Sequence, residues 1–108
     1  MAVQVFKAEA LEAQAAEVAG ILRALANERR LMIMCKLVEW GEANVNALAE
    51  AVGLSQSALS QHLAKMRAEG LVVYRRESQT LWYRIADWRI EELFSTLHRI
   101  YCAKSKRR

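Results

Sequence analysis

The 108 residues suffice for one domain over 1–108 with a single modest core, and leave no room among them for a second catalytic or regulatory domain. Hydrophobic residues at 54% and charged residues at 26% exclude a disordered chain. That apolar share exceeds the about 45–50% usual for a soluble protein and points to a subunit interface. The net charge of +4 is unevenly spread. Residues 1–53 carry five bases against seven acids, residues 54–86 five against two, and residues 87–108 six against three. The basic excess of the middle segment suits a polyanion such as duplex DNA, because neutralised phosphates release condensed counterions. The terminal bases Lys104, Lys106, Arg107 and Arg108 form a tail over 103–108 that reads first as a solvated end. The longest apolar run, Leu31 to Cys35, stops at Lys36, far short of the roughly 20 residues of a membrane span. Glu9 arrives too early for a signal-peptide core, so a cytoplasmic protein is expected.

In chain order, Leu11, Ala15, Val18, Leu22 and Leu25 recur at steps of four and three, predicting a first helix over about 7–25 with the seam of a dimer element. Asn27 caps a second helix whose stripe is Leu31, Cys35 and Val38, and Gly41 closes it. Asn44 opens a third, two-turn helix with Val45, Leu48, Ala49 and Val52, closed by Gly53. Ser55 caps a fourth, running to Gly70 with Leu59, Leu63 and Met66 inward. Two short helices joined by Gly53 and Leu54 are the signature of a helix-turn-helix. Residues 71–76 and 80–85 read as a two-stranded hairpin, with Leu81, Tyr83 and Ile85 alternating against Thr80, Trp82 and Arg84; the turn contains no glycine, which leaves its type open. A fifth helix from Asp87 to about Cys102 carries Ile90, Leu93, Phe94, Leu97, Ile100 and Tyr101. The fold class is mainly α with a small β-hairpin: a winged helix-turn-helix.

The outward face of the fourth helix is small and neutral. Ser55, Gln56, Ser57, Ser60 and Gln61 occupy its start, where a recognition helix enters the major groove and where amides and hydroxyls suit base edges. Free N–H groups at residues 55–57 can also hold a phosphate. Lys65, Arg67, Arg75, Arg76 and Arg84 are expected to grip the backbone or the minor groove beside it. His62 borders core and surface and reads as a core-edge histidine.

Cys35 and Cys102 are expected to be thiols at rest, and each by itself reads as packing, Cys35 on the core stripe and Cys102 at an interface edge. As a pair they invite a redox reading, although no spacing says that they meet. His62 and His98 complete no local metal motif, so no metal and no cofactor are expected. No acid–base constellation accompanies a nucleophile, so an enzyme is not expected either.

The segment Leu25-Ala26-Asn27-Glu28-Arg29-Arg30-Leu31, the run from Leu54 to Leu63, Gly70-Leu71-Val72 and Tyr83 resemble the ArsR/SmtB repressors of bacteria over about residues 15–102. The resemblance implies a homodimer joined through the first and last helices that leaves operator DNA when an inducer binds. Asn44, Val45 and Asn46 stand where metal-sensing members carry a Cys-x-Cys pair, and Asp87 with Arg89 where others carry Asp-x-His. The cysteines instead look like those of the BigR/SqrR/HlyU-like dithiol subgroup, which implies Cys35 and Cys102 as a redox-sensing pair for persulfides and related reactive sulfur species. The alternatives are a repressor of this family with another oxidant or a metal as inducer, and a winged-helix module that binds protein.

Overall fold

A computed structural model describes residues 5–102. The basic tail over 103–108 lies outside the described residues. The element order is α1 (Ala8–Glu12), α2 (Ala15–Leu25), α3 (Glu28–Trp40), β1 (Ala43–Asn44), α4 (Val45–Val52), α5 (Gln56–Ala68), β2 (Val72–Glu77), β3 (Thr80–Ile85) and α6 (Trp88–Tyr101). The single long first helix expected from the seam is broken at Ala13 and Gln14 into α1 and α2. Nothing in α1 is buried, so tertiary packing does not enforce one continuous rod there.

Helices α3, α4 and α5 start at the predicted caps Asn27, Asn44 and Ser55, and α6 starts at a further cap, Asp87. The side chains of Asn27, Asn44, Ser55 and Asp87 accept hydrogen bonds from the backbone N–H groups of Arg30, Ala47, Ala58 and Arg89, satisfying donors left free at a helix start. Two C-termini close alike. Gly53 (φ 72°) donates to the Glu50 carbonyl and Leu54 to the Ala49 carbonyl; Gly70 (φ 81°) donates to Arg67 and Leu71 to Met66. Both are Schellman closures, in which glycine takes the left-handed residue at no steric cost. The first sets the turn between α4 and α5, and the second launches the wing from the end of α5.

The sheet has three antiparallel strands in the order β1-β3-β2. The sequence reading lacks β1, whose two residues pair Ala43 with Tyr83 and Asn44 with Trp82. Two residues carry no readable periodicity. The hairpin register pairs Val72 with Ile85, Tyr74 with Tyr83 and Arg76 with Leu81 on one face, and Val73 with Arg84 and Arg75 with Trp82 on the other. Ser78 takes φ 58° in the two-residue turn, the positive angle that such hairpins favour at the first central position.

The core gathers Ile33, Met34 and Leu37 of α3, Leu48 of α4, Leu59, Leu63 and Met66 of α5, Leu71 and Val72. The stripe of α3 therefore differs from the expected Leu31, Cys35 and Val38: Leu31 and Cys35 are exposed and Val38 is half-buried. Residues 31–35 are all apolar, so periodicity fits two rotations of this helix, and the packing of α4, β3 and α6 against it selects one. Arg30 braces α3 against the end of α5. Its guanidinium, whose side chain is 13% exposed, donates to both carboxylate oxygens of Glu69 at 2.7 and 3.3 Å and to the Ala24 carbonyl at 3.0 Å.

Candidate nucleic-acid interface and thiol pair

Helix α5 is held by Leu59, Leu63 and Met66, each fully buried, which turns Gln56, Ser57, Ser60, Gln61, Lys65 and Arg67 to solvent. Ser55 spends its hydroxyl on the cap, accepting from Ala58 N–H at 3.1 Å. His62 is half-buried at the core edge. Between the start of α5, the start of α4 and the wing tip lies a cleft of about 330 Å³ lined by Asn44, Asn46, Gln56, Ser60, Gln79 and Thr80. Every polar group on that wall is neutral. Asn46, Gln79 and Thr80 are additions to the predicted surface, and no local pattern marks them, because only the tertiary fold brings the wing tip beside the two helix starts.

Strand alternation divides the wing arginines. Arg76 shares the face of Tyr74, whose ring lies 4.9 Å beneath the Arg67 guanidinium and 5.4 Å from the Tyr83 ring, so this face adjoins α5. Arg75 and Arg84 lie on the opposite face. There Arg75 donates from Nε and Nη2 to the two carboxylate oxygens of Glu42, at 2.8 and 3.0 Å, and from Nη1 to Glu77 at 3.2 Å. The Arg75 hydrogen bond, with Arg84 adding a smaller effect, holds the Glu42 carboxyl below the usual carboxylate range. Lys65, Arg67, Arg76 and Arg84 make no ion pair among the described residues.

The second site lies between α3 and α6. Cys35 borders a cavity of about 500 Å³ together with Val38, Glu39, Phe94, Ser95 and His98. Cys102 caps the end of α6, its N–H donating to the His98 carbonyl at 2.8 Å. Both thiols are free and solvent-accessible, which corrects the expectation that Cys35 fills a core position. Cavity walls withhold enough water from the Cys35 sulfur to raise its pKa above the ordinary thiol value. A negative Cys102 and then Glu39 add to that rise, while Lys36 opposes it. The charge of Cys102 thus bears on Cys35, 67 residues away in sequence. Among the described residues no group of three or more His, Cys, Asp and Glu is placed to hold a metal ion. At the start of α6, Asp87 is occupied by Arg89, which reaches on to Glu17 of α2 at 3.0 Å.

Outside these sites the protomer leaves large apolar side chains in solvent: Leu11 and Leu22 on α1 and α2, and Trp88, Ile100 and Tyr101 on α6, the last 79% exposed. Among the described residues no helix is long and apolar enough to cross a membrane.

Residues 27–74 match the model of the arsR family of bacterial regulatory proteins. The chain is 45% identical to the transcriptional activator HlyU of Vibrio cholerae over 92 residues, covering 85% of this chain and 84% of that one. The structure of reduced HlyU from the same organism superposes with a TM-score of 0.78 at 43% identity, covering 88% of this chain and 99% of that one. The crystal structure of the transcriptional repressor BigR from Xylella fastidiosa gives 0.83 at 37% identity, covering 92% and 100%. A homodimeric winged helix-turn-helix DNA-binding domain from Mycobacterium bovis gives 0.69 at 38% identity, covering 93% and 89%.

Proposed function

The chain belongs to the ArsR family of winged-helix transcriptional regulators, and from that membership we propose that it is a homodimeric repressor whose operator grip is released when Cys35 and Cys102 are joined through sulfur. DNA-binding regulation comes with the family; the thiol switch is our reading of this chain. The observation that carries it is the placement of the two thiols about one helix: Cys35 on α3 faces a cavity walled by Phe94, Ser95 and His98 of α6, and Cys102 ends α6 one turn beyond His98. Exposure of both sulfurs and a cavity beside Cys35 of the size that admits a small molecule support it. The existence of a relative described in a reduced form accords with it.

The inducer class is a persulfide, R–S–SH. Two protein thiols and three persulfides yield a bridge of four sulfurs, two of them from the cysteines, with three R–SH and one H₂S released. The protein loses two hydrogens and two electrons, which reduce one persulfide. A direct disulfide demands Cα atoms within about 7 Å, whereas inserted sulfur spans a wider gap. The bridge joins α3, which packs under the helix-turn-helix, to α6, whose outer face is apolar and exposed, so it links the core to the dimer seam. Release needs a coupling of about 1–3 kcal/mol, roughly 5- to 150-fold in operator affinity.

A gel shift on the duplex upstream of its own gene, with and without a persulfide donor, tests this directly. Cys35→Ser and Cys102→Ser keep operator binding and no longer let go. Intact mass of the released protein rises by two sulfurs less two hydrogens. A serine variant that still releases, or a mass change of only two hydrogens with persulfide and peroxide alike, refutes the reading.

A further inference from the structure

The sequence counts Arg75 among the phosphate ligands, yet its surroundings differ from those of every other wing cation. A guanidinium grips phosphate with the same two-pronged fork with which it grips carboxylate. At Arg75 that fork is already closed on Glu42, with Nε and Nη2 at 2.8 and 3.0 Å, and Nη1 is turned to Glu77. Its charge is taken up by two carboxylates, and Arg84 on the same face brings the patch only to neutrality, so the Arg75 guanidinium adds no free positive charge to draw a DNA strand. The guanidinium also lies 5.7 Å from the ring of Trp82, its register partner on the middle strand. Glu42 immediately precedes β1 and Arg75 sits on β2, the two outer strands of the sheet, so the pair spans β3 from edge to edge. Arg76, one residue on, faces the other way with no ion pair among the described residues.

We propose that Arg75 is a wing-positioning residue that acts through Glu42, and not a ligand of the DNA backbone. Their two-pronged pair straps the outer strands together over Trp82 and fixes the angle at which the wing stands beside α5. Arg76 on the face that adjoins α5, Arg84 on the other, and Arg67 of α5 are then the cations of this region left for phosphate. The proposal rests on DNA binding by the fold but is independent of the thiol switch.

Glu42→Gln and Arg75→Gln test it, with the exchanged pair Glu42→Arg/Arg75→Glu as the control for charge. In the free protein, backbone amides of β2 and β3 exchange hydrogen faster in both glutamine variants and return toward wild type in the exchanged pair; unchanged exchange overturns the strap. On the upstream duplex, each glutamine variant binds about threefold to tenfold more weakly. The slope of log K against log salt stays at its wild-type value, and the exchanged pair recovers most of the loss. A slope shallower by about 0.9 in Arg75→Gln is the mark of a lost phosphate contact and overturns the proposal. So does tighter binding by Glu42→Gln, which would show a phosphate ligand set free. Wild-type protein that does not bind that duplex in a salt-dependent way removes the DNA reading instead, and amide exchange alone then decides the strap.

Discussion

Helix α5 takes both its ends from side chains and glycines within a few residues of them, whereas the cavity beside Cys35 takes its walls from two helices far apart in the sequence, α3 and α6. Ser55 caps α5 and Gly70 closes it, and Leu59, Leu63 and Met66 fix its rotation. The thiol cavity has no such local rule: Val38 and Glu39 come from α3, and Phe94, Ser95 and His98 from α6. The ends and rotation of α5 are set by short-range chemistry, and the surroundings of Cys35 by how whole helices pack. The two regions can therefore be disturbed separately.

The most damaging change to the first region is Leu63→Ala. Its side chain is fully buried beneath α5, and truncation costs about 2–5 kcal/mol through lost transfer energy and the cavity left behind. Urea denaturation reads this as a lower midpoint with operator binding lost in proportion. Next, Gln61→Ala removes an exposed amide with no fold role and weakens operator binding by about 1–3 kcal/mol. Binding to random duplex is unchanged, as titrations on both duplexes check. Ser55→Ala deletes the cap bond to Ala58 and lowers stability by about 1 kcal/mol, measured by thermal unfolding.

The gentlest probe belongs to the second region. Cys102→Ser removes the neighbouring charge that disfavours the Cys35 thiolate, so the Cys35 pKa moves down toward the ordinary value. The alkylation rate of Cys35 then begins to rise at lower pH than in wild type, because the thiolate is the nucleophile and forms once pH approaches its pKa. An unmoved pH profile would place the thiols out of each other's reach.

The contrast also explains what could be read before any coordinates. Asn27, Asn44, Ser55 and Asp87 announce helix starts because a side-chain oxygen two or three residues from a free N–H is a local fact. The alternation at Leu81, Tyr83 and Ile85 announces the strand for the same reason. The rotation of α3 was illegible, since Leu31 to Cys35 presents apolar groups on all sides and only the helices around it choose a face. The pairing of Arg75 with Glu42 is hidden too: it joins residues 33 apart through β1, a strand of two residues. Resemblance singled out Cys35 and Cys102, but their surroundings, Glu39 and Lys36 included, emerge only from the packing.

Trp88, Ile100 and Tyr101 carry one last consequence, for the thermodynamics of the protein. If a second copy covers them, part of each protomer's hydrophobic stabilisation comes from its neighbour, and mass action enters the folding equilibrium. Melting temperature then climbs as the solution is made more concentrated and falls on dilution, so cellular abundance itself helps to set how much intact regulator is present.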